Sequence, residues 1–301
     1  MRIVSLLPSA TEIVCALGLS DALVGVSHDC DHPPEIFGKP VLSEAVVTTD
    51  MPSGRIDAVI RERVHRGRSV YHLDAAQLAA LRPDLILTQE LCTVCAPSYT
   101  MVTEAAKVLD ADTTIVSLEP LGLFDILETI RLVGHRTRRS ARAEALVAEL
   151  RARIDRVRER TTSLPRPRVV CIEWLEPIYV AGHWIPEMVE LAGGQDVLGR
   201  PREPSFAVPW ERVVAAQPEV VVVMPCGFDV PRTREEIHLL TRRPGWRDLP
   251  AFCSGRVYLT EATSYFSRPG PRIVTGLEIL AGILHPEEFA QVTAPGAVET
   301  L

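Results

Sequence analysis

The chain contains no G-x-S-x-G elbow, no P-loop and no G-x-G-x-x-G turn. It therefore presents no nucleophile on a strained turn and no glycine cradle for phosphate. Ser9, after Pro8 at the first strand–helix turn, reads as a helix N-cap rather than a nucleophile. An excess of positive charge is missing too: the formal net charge is −7, which argues against a general nucleic-acid partner because phosphate binding needs a basic surface. No apolar run reaches the length of a membrane span. The opening MRIVSLLPSATEI has one arginine, a short apolar strand and a turn at Pro8, without the long apolar core and small-residue cleavage site of a secretory leader. Together these absences predict a cytosolic protein. In a reducing compartment seven cysteines, an odd number, read as free thiols or metal ligands rather than a disulfide framework.

What is present is an ordinary globular composition, 47% apolar and 24% charged over 301 residues, with a length suited to about two domains. Short apolar runs alternate with helical patterns. RIVSLL (2–7), LVGVS (23–27), DLILTQ and TTIVSLE read as strands, separated by helices that include TEIVCALGL and SYTMVTEAAKVLD. Residues 123–137 and 139–161 form the longest helical pattern, with Leu146, Leu150, Ile154 and Val157 three or four apart. Its arginine-rich run RTRRSARAEALVAELRARIDRVRER carries Glu144, Glu149, Asp155 and Glu159 at helical spacing, the signature of a solvated amphipathic helix. After the turn LPRPR a second series begins, and its VAAQPEVVVVM echoes AALRPDLILT of the first. The expected fold is α/β: two Rossmann-like lobes with mostly parallel sheets, residues 1–122 and 164–301, joined by connecting helices over residues 123–163.

Four cysteines fall where strand-like segments run out: Cys30, Cys92 and Cys95 in a C-x₂-C knuckle, and Cys226. Ligands of open α/β sheets bind outside the carboxyl ends of strands, so three separate strand ends can bring these thiols together. Four thiolates suit Zn²⁺ or an iron–sulfur cluster. A redox pair at Cys92 and Cys95 is a further reading, as are packed thiols. Cys15, Cys171 and Cys253 sit in or beside apolar runs and read as buried. His28 and His32 flank Cys30, and His183 lies in VAGHWIPEM. Each is a candidate metal or axial ligand, or a histidine bonded to a turn backbone. Glu173 and Trp174 end the strand RVVCIEW, with Trp184 close behind, placing a carboxylate and aromatic rings at the mouth of the second lobe. The rings are available to stack on a planar ligand or to fill a contact between the lobes.

RIVSLLPSATEIVCALGL, LVGVSHDCDHPP, LRPDLILTQ, VPWERVVAAQPEVVVV and YFSRPGPRI, in that order, resemble the helical-backbone periplasmic binding proteins. That group holds the vitamin B12, siderophore and some metal receptors of ABC importers, and the cobalamin-binding branch is the nearest in pattern. The resemblance implies two lobes, one long backbone helix, and a non-catalytic protein holding a corrinoid or similar metallocofactor in a cleft between lobes. It also implies that Tyr265, Phe266, Arg268 and Arg272 of YFSRPGPR reach the ligand. Where the B12 receptors carry a clasping tyrosine this chain has Asp29 or His32, and where they carry a tryptophan it has Gln89. Of the two carboxylates that dock a permease, one aligns with Glu211 and the other position holds Ala76.

Overall fold

The central strands of this protein are short runs apolar on both faces. Ile3–Ser5 (β1) and Val220–Val223 are buried at every position, the pattern of parallel strands covered by helices on both sides. The structure, a computed structural model, describes residues 1–66, 68–89, 113–290 and 294–301. The chain divides into two compact units: Met1–Thr48, Ala58–Pro120 and Asp125–Ala148 in the first, and Thr49–Asp57, Leu121–Phe124 and Glu149–Leu301 in the second.

The first unit is built on a parallel sheet in the order β2 (Leu23–Val26), β1, β5 (Leu85–Thr88), β6 (Thr114–Ser117). A separate antiparallel pair joins β3 (Ser43–Ala45) to β4 (Tyr71–Leu73). Val4, Leu6, Leu42, Leu73, Leu78 and Ile86 form its core. At Gly25 of β2 a Cβ would stand 2.7 Å from Leu42 Cδ1, so the absence of a side chain lets this core close.

Helix α1 (Pro8–Ala16) starts with proline at its first position, where the missing N–H costs nothing. Its N-cap is Leu7, which makes no side-chain cap bond. Ser9 is therefore not the cap expected from sequence; it lies inside the first turn and is buried. Helix α2 (Ser53–His65) starts within the second unit and continues in the first. In α3 (Ala75–Leu81) the Asp74 carboxylate caps the Gln77 N–H at 2.8 Å.

The paired helical pattern is realised as α4 (Leu123–Arg136) and α5 (Ser140–Thr161). The 22 residues of α5 span roughly 33 Å at 1.5 Å per residue. Ala143, Val147, Leu150, Ile154 and Val157 are all buried, one continuous stripe at the helical period. Glu149 onward belongs to the second unit and the rest of α5 to the first.

The second unit has a seven-stranded sheet in the order β10 (Phe206–Ala207), β8 (Tyr179–Val180), β7 (Arg168–Trp174), β11 (Val220–Val223), β12 (Val257–Thr260), β13 (Val298–Thr300), with β9 (Gln195–Asp196) also paired to β7. β7, β11 and β12 are parallel, whereas β8, β10 and β13 run antiparallel to their neighbours at the edges. The core gathers Val170, Ile172, Val221, Val223 and Leu259 beneath Trp210 and Trp246, whose rings stack at 6.0 Å. Four longer helices cover it: α6 (Ile185–Leu191), α7 (Trp210–Ala216), α8 (Val230–Glu236) and α9 (Ile273–Leu284). Segment 49–57 is held to α8: Glu236 accepts the Ser53 N–H through both oxygens at 3.1 and 3.0 Å, and Arg232 donates to the carbonyls of Thr49 and Met51 and pairs with Glu236.

Candidate functional site

In the first unit the carboxyl ends of parallel β1, β2 and β5 share one edge, the position at which open α/β sheets take ligands. Cys30 is half-buried there, its Sγ 3.0 Å from Thr11 Oγ1 and 3.2 Å from Ser27 Oγ. Thr11 also donates to Ser5 Oγ at 2.8 Å, which donates in turn to the Leu7 carbonyl. The sulfur is thus the end of a hydroxyl chain. None of these hydroxyls was singled out from sequence, since Thr11 lies within an apolar helix and only the fold turns it toward the β2 loop.

The same loop carries His28, whose Nδ1 is 2.8 Å from Ser43 Oγ and whose ring lies 5.5 Å from that of Tyr71. Its Nε2 is 3.4 Å from Asp29, an exposed carboxylate. His32 follows, half-buried. Gln89, just past β5, is buried, and its Oε1 has no partner among the described residues.

In the second unit Glu173 and Trp174 end β7. The Glu173 carboxylate accepts the Gly182 N–H at 3.2 Å. Burial pushes its pKa up to about 8, and the nearby Cys226 and Asp196 add to the rise, against the Gly182 and Ser205 hydrogen bonds. Trp174 rests on buried Phe228 with centroids 5.2 Å apart, and the Arg232 guanidinium covers Phe228 at 4.3 Å. Cys226 is exposed in the turn after β11.

Gly182 and His183 are clamped. A Cβ on Gly182 would stand 2.2 Å from the Ser205 nitrogen. His183 donates its N–H to the Glu203 carbonyl at 2.6 Å and accepts from Arg202 at 2.8 Å. It is held at φ +49°, the left-handed region that non-glycine residues avoid. Its Nε2 is buried without a partner among the described residues, and desolvation lowers its pKa, which disfavours the protonated ring. Trp184 is buried and donates its Nε1–H to the Phe266 carbonyl at 2.8 Å; Phe266 is buried as well. These two rings serve the second unit's own packing, whereas Trp174 and Tyr265 keep exposed surface. Arg268 is nearly buried, and Arg272 lies 6.0 Å above the Tyr265 ring. Glu211 is exposed in the first turn of α7, and Ala76 is exposed on α3.

The four-cysteine metal site is not supported. Cys92 and Cys95 lie outside the described residues. Among the described residues no group of three or more His, Cys, Asp and Glu side chains is placed to hold a metal ion. Cys30 places its sulfur against the Thr11 and Ser27 hydroxyls. Cys253, expected to be buried, is exposed with its thiol on the Arg247 carbonyl.

Each of the two α/β units thus presents parallel strands whose carboxyl ends carry polar and aromatic side chains. The chain belongs to the periplasmic binding protein family, whose pattern matches residues 3–263. It is 26% identical over 283 residues to a vitamin B12-binding protein of Vibrio cholerae serotype O1, covering 92% of this chain and 86% of that one. It is 25% identical over 299 residues to YvrC of Bacillus subtilis, an uncharacterized ABC transporter substrate-binding lipoprotein, covering 96% and 82%. A periplasmic heme binding protein from Pseudomonas aeruginosa shares the fold with a TM-score of 0.70 at 22% identity, over 95% of this chain and 92% of that one. These kinships overturn the cytosolic expectation. The family is one of periplasmic proteins, and one relative is a lipoprotein. Among the described residues no helix is long and apolar enough to cross a membrane.

Proposed function

We propose that this protein is the solute receptor of an ABC importer and that its ligand is a corrinoid. The reading rests on one observation above others: 26% identity, over 92% of the chain, to a vitamin B12-binding protein. The side chains at the strand ends are compatible with it. Trp174, backed by Phe228, offers a ring face for a planar macrocycle. The imidazoles of His28 and His183 are nitrogen donors of the kind that suit cobalt. Tyr265, Arg268 and Arg272 supply donors for side-chain amide oxygens, and Asp29, His32 and Gln89 supply polar contacts where relatives of this pattern use aromatics. Release to a permease would use exposed Glu211, with Ala76 leaving the opposite contact uncharged.

Titration with aquocobalamin, followed by the visible spectrum and by calorimetry, tests the proposal. Saturable one-to-one binding is expected, weakened about tenfold in Trp174→Ala, the size of one lost ring contact. Binding of hemin with none of cobalamin would overturn the corrinoid assignment while leaving the receptor class in place.

A further inference from the structure

Positive charge is unevenly distributed in this acidic protein. Residues 131–143 hold Arg131, Arg136, Arg138, Arg139 and Arg142, five of 32 basic side chains, with His135 among them and no aspartate or glutamate. The acids that punctuate the arginine-rich run all lie further along α5. Arg131 is paired with Glu128 and Glu144, and Arg142 donates to the Ala16 carbonyl at 3.3 Å. Arg136, Arg138 and Arg139 are exposed and have no carboxylate partner among the described residues.

The backbone sets how these three are displayed. α4 closes in a Schellman turn, with Arg138 N–H on the His135 carbonyl at 3.2 Å and Arg139 N–H on the Gly134 carbonyl at 2.7 Å. Gly134 lies so near α5 that a Cβ there would stand 2.4 Å from Ala143 Cβ. The result is a tight, convex helix–helix corner within the first unit.

Local stability does not explain its composition. Arg138 sits at φ +58°, where glycine is favoured because a Cβ crowds the following carbonyl. A cation in the last turn of α4 suits the helix dipole, which accounts for Arg136 alone. Arg138, Arg139 and Arg142 stand at the N-terminal end of α5, where negative charge is preferred, yet its first turn has no acidic residue.

We propose that this corner docks the protein on an anionic phospholipid surface. Guanidinium forks match phosphate oxygens. A convex tip suits a flat sheet of headgroups, and the acidic remainder of the chain would be turned away by the same field. A polynucleotide fits less well, because the unpaired arginines cover one turn and form no track. The inference does not depend on the identity of the ligand.

The full chain is tested by co-sedimentation with phosphatidylglycerol-containing vesicles against pure phosphatidylcholine, at low and physiological salt. Selective binding to the anionic vesicles is expected, weakening as salt rises. Each arginine contributes roughly a fivefold factor in partition, so Arg136→Gln, Arg138→Gly and Arg139→Gln together reduce it about a hundredfold. The charge-matched set Arg156→Gln, Arg242→Gln and Arg247→Gln, placed elsewhere, leaves most binding intact. Arg138→Gly alone lowers partition without lowering the thermal midpoint, which separates docking from folding. The proposal is overturned if wild type shows no preference for anionic vesicles, if the triple variant binds like wild type, or if the control set loses as much. Tighter binding to a short oligonucleotide than to vesicles through the same three arginines also overturns it.

Discussion

The Glu173 carboxylate, at the end of the strand β7, accepts the backbone N–H of Gly182 from the following loop at 3.2 Å. The bond compensates only part of what burial costs this carboxyl, which titrates at about 8 instead of 4.5. Below pH 4.5 both folded and unfolded chains hold the proton. Between 4.5 and 8 the unfolded chain releases it while the folded chain retains it, so stability falls as pH rises through that window. Urea unfolding of wild type and Glu173→Gln from pH 5 to 9 checks this. The wild type should lose about 1–3 kcal/mol relative to the variant by pH 8, allowing for solvent access to a half-buried group. Parallel pH profiles for the two proteins would contradict the assignment.

Gly182 is required for close approach. With Ser205 nitrogen and Glu203 oxygen 2.2 and 2.5 Å from a Cβ position, Gly182→Ala must push apart backbone, not a movable side-chain tip. A loss of about 2–4 kcal/mol is expected from such overpacking. The same displacement releases the two hydrogen bonds that hold His183. A ligand affinity lowered together with the thermal midpoint would show that one clamp serves both, whereas an unchanged midpoint would refute the packing argument.

Arg153 on α5 grips Glu278 on α9 through bonds of 2.9 and 2.6 Å and reaches Thr275 at 2.8 Å. Both charged side chains are about 23% exposed, shielded enough for the pair to matter. Arg153→Met should cost about 1–2 kcal/mol by chemical denaturation, since it leaves a partly buried carboxylate without its donor. Arg153→Met with Glu278→Leu should recover part of that loss. A double variant worse than the single would count against the pairing as the cause.

The thiols differ in reactivity for reasons of burial. Cys171 lies within β7, and burial pushes its pKa well above the ordinary thiol value, so it should resist alkylation of the native protein. Among the described thiols Cys226 and Cys253 are exposed and should be labelled before it. Peptide mapping after brief iodoacetamide treatment distinguishes them. Labelling of Cys171 at the rate of Cys253 would show that β7 opens readily.

The architecture was largely legible because parallel strands covered on both faces are written as apolar runs. RVVCIEW matches β7 residue for residue, and the stripe through Leu150, Ile154 and Val157 marks α5. The short strands β8 and β10 were not legible: two residues each carry too short a pattern to announce pairing. Nor could spacing tell which strand-end side chains stay outside. Trp174 and Trp184 look equivalent in sequence, yet Trp184 finds a carbonyl 82 residues away and is buried. His183 is strained by a segment 20 residues downstream, and no local signal foretells a left-handed histidine. The cysteine reading gains no support, because Cys92 and Cys95 lie outside the described residues and no metal-holding group of His, Cys, Asp and Glu appears among the described ones.

Strand β13 lies antiparallel along β12, with Val298, Glu299 and Thr300 opposite Thr260, Leu259 and Tyr258, and the Leu301 N–H on the Val257 carbonyl. These last residues act as a selvedge on the sheet. Trimming them for crystallisation, or pulling them away with a short-linked affinity tag, would bare a ready-made template for strand exchange. Recombinant handles are therefore better placed at the opposite terminus, and chain-end proteolysis during storage should be watched as a route to self-association.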